Sequence, residues 1–171
     1  LDPDQLELGL KRRGGKAGVE VKGLVQLATA SRIAPFTGRV EIWTKWTSNA
    51  IRFEGAPVVL TRKTRWLRKY DTSNAACREL RLDENEKPAG EVALPENGCN
   101  MELTRVRLDG TSAEWWTLGF EAFGSLDDVI RSLGRTLAWL APGAPARLIT
   151  GASEASYPEW LARISRRSPE R

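Results

Sequence analysis

Charged side chains recur at every second position through the extended segments of this chain, and that period restricts what it can fold into. Lys11 and Arg13, Glu20 and Lys22, Arg39 and Glu41, and Lys63 and Arg65 are each spaced i, i+2, with Leu10, Val19, Val21, Val40 and Ile42 pointing the other way. Residues i and i+2 of a strand share a face, so each segment carries one ionic face and one apolar face. On an ordinary half-exposed sheet the ionic face meets water, and a single pair of opposite charges there contributes little. Both signs recurring in strand after strand point instead to a polar interior that grips a multiply charged ligand. Glutamates interspersed among the cations would keep such a lining from repelling itself and can hold a divalent ion.

The punctuation of the chain orders these segments. Strands are expected at Leu6–Arg13, Val19–Leu24, Arg39–Thr47, Val58–Lys69, Ala75–Leu82, Asn100–Leu108 and Trp115–Phe123. The Gly14-Gly15 pair makes the first two a hairpin, and Asp109-Gly110 joins the last two. Ala28–Gly38, with Pro35 and Gly38, reads as a loop, and Gly55–Pro57 breaks the chain. Asp83–Gly98, with two prolines and five acids, reads as a surface loop holding one short strand at Val92–Leu94. Then the period lengthens: Leu126, Val129, Ile130, Leu133, Leu137 and Leu140 mark a helix, with Ser125 and Asp128 as its capping pair and Pro142-Gly143 as its stop. A shorter helix is expected around Tyr157–Ser165, with Pro158 at its start. The expected fold class is α+β: a predominantly antiparallel β-barrel or tunnel with a charged interior and one or two C-terminal helices. Residues 1–171 are expected to form a single domain, with a flexible tail at 166–171.

Composition narrows the chemistry. The chain of 171 residues contains no histidine, so Ser-His and Cys-His nucleophile pairs are excluded and a His/Cys zinc site is disfavoured. Any metal must be held by carboxylates, which suits Mg²⁺, Mn²⁺ or Ca²⁺. Two cysteines imply no disulfide scaffold, and a reducing cytoplasm is the expected compartment. No apolar run approaches the roughly 20 residues of a membrane span, so no membrane partner is expected. A net charge of +4 leans towards anionic partners.

Lys63-Thr64-Arg65, followed by Arg68, is the most basic strand, and Arg can bind two phosphate oxygens in one plane. Trp66 falls on the opposite face, so base stacking and backbone contact would not coincide and nucleic acid is not expected as a partner. Glu102 and Glu121 are isolated carboxylates between apolar residues, costly to bury unless paired or metal-bound. The seven tryptophans read mainly as packing, with purine stacking by Trp43 as the alternative. No glycine pattern matches a phosphate-binding loop.

Taken in order, these motifs resemble the triphosphate tunnel metalloenzymes, the CYTH superfamily that includes class IV adenylate cyclases and thiamine triphosphatases. Lys11 and Arg13 stand where that family carries paired arginines, and Lys22-Gly23 resembles the lysine closing its next strand. Arg39-Val40-Glu41 is similar to its Arg-X-Glu strand, and Lys63-Thr64-Arg65 to its Lys-X-Arg strand. Glu102 in Glu-Leu-Thr and Glu121 in Gly-Phe-Glu fall where it has late metal-binding acids, and Ser156-Tyr157 resembles its close. The opening Glu-X-Glu-X-Lys strand is not matched: Leu6–Lys11 has one of its two acids, and Gly9 stands where an arginine is expected. Either a further strand upstream of Leu1 completes it, or the chain is a relative without full metal-binding capacity. The resemblance implies a tunnel-barrel domain that hydrolyses an inorganic or organic triphosphate. Lys11, Arg13, Lys22, Arg39, Lys63 and Arg65 would bind phosphate, and Glu41, Glu102 and Glu121 would bind Mg²⁺ or Mn²⁺. A non-catalytic module binding polyphosphate or a nucleotide is the alternative.

Overall fold

The computed structural model describes residues 6–15, 17–52, 58–90, 93–145 and 149–165. It is α+β, with two antiparallel sheets and two α-helices. The first sheet contains β1 (Leu8–Lys11), β2 (Val19–Ile33) and β3 (Phe36–Ser48) in that order. The second contains β4 (Thr61–Asp71), β5 (Arg78–Leu80), β6 (Gly98–Leu108) and β7 (Glu114–Phe123) in the order β5-β4-β6-β7. Helix α1 covers Leu126–Leu140 and runs into a 3₁₀ turn at Ala141–Gly143, and α2 covers Tyr157–Ser165. The chain divides into two compact units. One holds β1, most of β2 and β3, and α2; the other holds β4–β7 and α1, together with the turn Ile33–Phe36.

The expected β1–β2 hairpin forms, and alternation sets its register: Val19 and Val21 are buried while Glu20 and Lys22 lie half-buried on the other face. The expected loop at Ala28–Gly38 does not. β2 and β3 run through it and reverse at Ala34-Pro35, so only a two-residue turn separates them. Thr29, Ser31 and Ile33 continue the period of two, but their neighbours are small or polar and half the segment is exposed, so no apolar face announces the strand. The strand expected at Ala75–Leu82 shrinks to Arg78–Leu80. Of the short strand expected at Val92–Leu94, Val92 lies outside the described residues, and Ala93 and Leu94 belong to no strand. The break at Gly55–Pro57 and the tail at 166–171 also lie outside them.

The second unit packs α1 against one end of its sheet. Tyr70, Cys99, Leu137 and Leu140 are buried there, with the Tyr70 ring 5.3 Å from that of Trp139. Three hydroxyls in this contact are linked: Thr72 Oγ1 donates to Ser132 Oγ at 2.8 Å, and Thr136 Oγ1 to the Ser132 carbonyl at 3.0 Å. Gly98 opens β6 because the chains approach too closely for a side chain. A Cβ there would sit 2.3 Å from the Tyr70 carbonyl oxygen and 2.6 Å from the Phe123 ring. Ser125 does occupy the N-cap of α1 with extended backbone, and Asp127 and Asp128 place negative charge in the first turn. Its hydroxyl, however, contacts the Asp128 carboxylate at 2.6 Å instead of capping a backbone N–H. α2 shows the reciprocal arrangement, for the Glu159 N–H donates to Ser156 Oγ at 3.3 Å.

Candidate functional site

In the first unit the ionic residues of three strands share one sheet face. Lys11 lies opposite Glu20, and Gly9 opposite Lys22. A Cβ on Gly23, which belongs to the other face, would stand 3.8 Å from Thr44 and Trp46. That leaves Arg39, Glu41 and Trp43 on the face of Lys11, Glu20 and Lys22. Arg13 pairs with Glu20 at 3.5 Å, and Trp43 Nε1 donates to Glu41 Oε2 at 2.9 Å. Helix α2 lies against this face. Pro158 comes within 3.5 Å of the place a Gly9 Cβ would take, so a longer side chain at residue 9 would meet the helix.

Arg39 is held by that helix and its approach. Its Nη2 donates to Glu159 Oε2 at 2.6 Å, with Glu154 at 3.7 Å from Nε and Glu41 at 4.0 Å. The hydrogen bond to Glu159 raises the Arg39 pKa and outweighs the desolvation that lowers it, and the same bond lowers the pKa of Glu159. Arg39 is therefore surrounded by carboxylates of its own unit.

In the second unit the register places Lys63, Arg65 and Lys69 on the same face as Glu102, Asn100 and Glu121. Arg65 Nη1 donates to Glu102 Oε1 at 2.8 Å, and Nε to Glu86 Oε1 at 3.2 Å, with Nη2 also on Glu86. Burial depresses the Arg65 pKa, but the hydrogen bond to Glu86 and the charge of Glu102 outweigh it and the net shift is upward. Glu86 sits at φ 60°, an uncommon conformation for a residue with a side chain. The turn that carries it is tied by Asp83 Oδ1, which accepts from the N–H groups of Asn85 at 2.8 Å and Lys87 at 2.9 Å. Beside this pair the Asn100 side-chain oxygen is buried and accepts no hydrogen bond among the described residues.

The nine residues expected to form one site thus fall into two sets. Lys11, Arg13, Lys22, Arg39 and Glu41 belong to the first unit, and Lys63, Arg65, Glu102 and Glu121 to the second. Lys22, Glu41 and Glu102 are half-buried, while the other six are exposed. Among the described residues, no three or more Asp, Glu, Cys or His side chains converge as a metal cluster. Nor is any described helix long and apolar enough to cross a membrane.

Sequence reasoning missed the acids that engage the cations. Glu86 lies in a stretch legible only as an acidic surface loop, and Glu154 and Glu159 are over a hundred residues from Arg39. Arg68, placed by the sequence on the phosphate-binding strand, is bidentate to Glu79 at 2.7 and 2.5 Å. Its hydrogen bond lowers the Glu79 pKa. Asn100 carried no signal beyond sharing the parity of Glu102. No protein family, curated protein or solved structure matches the chain.

Proposed function

We propose that this protein is a metal-dependent phosphohydrolase of inorganic or organic triphosphate, with Lys63 and Arg65 as its principal phosphate ligands. One observation carries the reading: Lys63, Arg65, Glu102, Glu121 and the Asn100 oxygen, which has no partner among the described residues, lie on one face of three adjacent strands, β4, β6 and β7. The planar Arg65 guanidinium can take two phosphate oxygens, and Lys63 adds a point charge two residues away. The carboxylates that Arg65 now meets, Glu86 and Glu102, are not a barrier of principle, because ion pairs open to solvent contribute little and can give way to a phosphate. Glu102, Glu121 and Asn100 offer only oxygen donors, the set a hard cation such as Mg²⁺ or Mn²⁺ takes. Bound there, the ion would neutralise phosphate charge and lower the pKa of its water.

The resemblance adds two elements to the proposal. It implies enclosure of the anion in a tunnel-like barrel, and further phosphate contacts from Lys11, Arg13, Lys22 and Arg39 with Glu41 as a metal ligand. A cytoplasmic setting belongs to the same reading. The second reading, a module that binds polyphosphate or a nucleotide without turnover, is favoured by the segment Leu6–Lys11, which carries one acid where the family's Glu-X-Glu-X-Lys strand has two.

Phosphate release from tripolyphosphate and nucleoside triphosphates, with Mg²⁺ or Mn²⁺ present, separates the two. The enzyme reading expects release well above that of a Glu102→Ala control. Tight binding with no such excess leaves only the module, and neither binding nor turnover removes both.

A further inference from the structure

Trp66 and Trp116 are the anomaly on the opposite face of the β4–β7 sheet. A large aromatic side chain on a folded domain is ordinarily packed away, yet these are 49% and 55% exposed. They are not loose: their rings stack on each other across β6, with centroids 5.5 Å apart and planes inclined by 18°. Leu103, the β6 partner of Trp66, lies on the strand between them and is itself 37% exposed. Helix α1 covers the Tyr70–Cys99 end of the same face and leaves this end open.

The register supplies the charge. Residues directly opposed in an antiparallel pair share a face. Arg62 opposes Arg107, and Arg105 opposes both Thr64 and Trp116. The Trp66 face therefore carries Arg62 of β4 itself, by parity, together with Arg105 and Arg107 of β6, which no inspection of β4 alone reveals. Their side chains are 82%, 37% and 57% exposed. Two of these arginines share a single carboxylate, Glu114, at 3.9 and 2.6 Å, while Arg62 has Asp109 at 3.3 Å. The cations exceed the acids that meet them, and exposed pairs of this kind yield to phosphate at little cost.

We propose that this face binds single-stranded nucleic acid, with bases stacking on the Trp66–Trp116 pair and phosphates meeting Arg62, Arg105 and Arg107. Stacking needs an aromatic face and tolerates any base, and arginine serves both phosphate contact and stacking. A stacked aromatic pair edged by guanidinium groups matches the alternation of base and phosphate along a nucleic-acid chain. It suits an unpaired strand, whose bases are free to turn onto it. The site shares no side chain with the Lys63–Arg65 face, so either assignment can fail alone.

The test is fluorescence anisotropy with labelled 15-mers of dT and of U, titrated with the whole chain at two salt concentrations. The wild type is expected to bind both, with affinity falling as salt rises at a slope set by the phosphates neutralised. Trp66→Ala and Trp116→Ala should each weaken binding about 5- to 100-fold. Arg62→Gln/Arg105→Gln should flatten the salt slope with the tryptophan pair intact. Lys63→Ala/Arg65→Ala should leave oligonucleotide affinity within twofold. Three results would overturn the proposal: equal affinity for a blunt duplex, equal affinity for polyglutamate, or a self-associating wild type that Trp66→Ala renders monomeric. Oligonucleotide binding unchanged in both tryptophan variants would do so as well.

Discussion

Replacing Lys63 and Arg65 together by alanine is expected to lower tripolyphosphate turnover about 100- to 1,000-fold. That is the scale on which a positioned group meeting developing charge contributes, and here two such groups leave at once. The physical ground is the shared face: Lys63 and Arg65 project from β4 beside Glu102 on β6, and Arg65 already holds a carboxylate oxygen of that residue at 2.8 Å. On the proposed reading a phosphate oxygen would take much the same place, with comparable charge. Both side chains are exposed, so their removal leaves the apolar packing alone, and thermal melting should shift by no more than a few degrees. A double variant that melts normally and turns over like the wild type would remove these residues from the site.

Tyr70 divides into two opposite predictions at one position. Its ring is fully buried, lies 5.3 Å from Trp139 and has the Arg68 guanidinium 5.6 Å from its centre. Tyr70→Ala should destabilise the fold by about 3–5 kcal/mol, the range for deleting a large buried aromatic ring. Its hydroxyl is buried and has no hydrogen-bond partner among the described residues. Burial pushes its pKa up to about 12, so it stays protonated near neutrality. Removing a buried polar group that lacks a partner relieves a desolvation cost, so Tyr70→Phe should be neutral or stabilising by about 1 kcal/mol. Urea unfolding of the three proteins measures both. A loss of several kcal/mol in Tyr70→Phe would show that the hydroxyl has a partner.

What the sequence revealed follows from which forces are local. Alternation identified the ionic faces, because side-chain parity along a strand needs no knowledge of its neighbours. The 3- and 4-residue spacing of Leu126 to Leu140 gave α1 within its observed bounds, and the Tyr157–Ser165 helix likewise. The β2–β3 hairpin escaped because Ala28, Ala30 and Ser31 carry little strand preference and Thr29 stands alone among them, so pairing with the neighbouring strand decides their conformation.

The ionic partners escaped for a related reason. Arg39 meets Glu159 and Arg65 meets Glu86 only after elements distant in the chain pack together. The expectation against nucleic acid shows the same limit. Trp66 does lie opposite Lys63 and Arg65, as parity requires, yet β6 places Arg105 and Arg107 on its face. Parity orders charges within a strand; register decides which strands pool them.

The most direct test of the account is calorimetric titration of the wild-type chain with tripolyphosphate, with and without Mn²⁺, alongside the Lys63→Ala/Arg65→Ala variant. The account predicts saturable one-to-one binding that Mn²⁺ strengthens and the double substitution abolishes. No binding by the wild type, or equal binding by the variant, would contradict it.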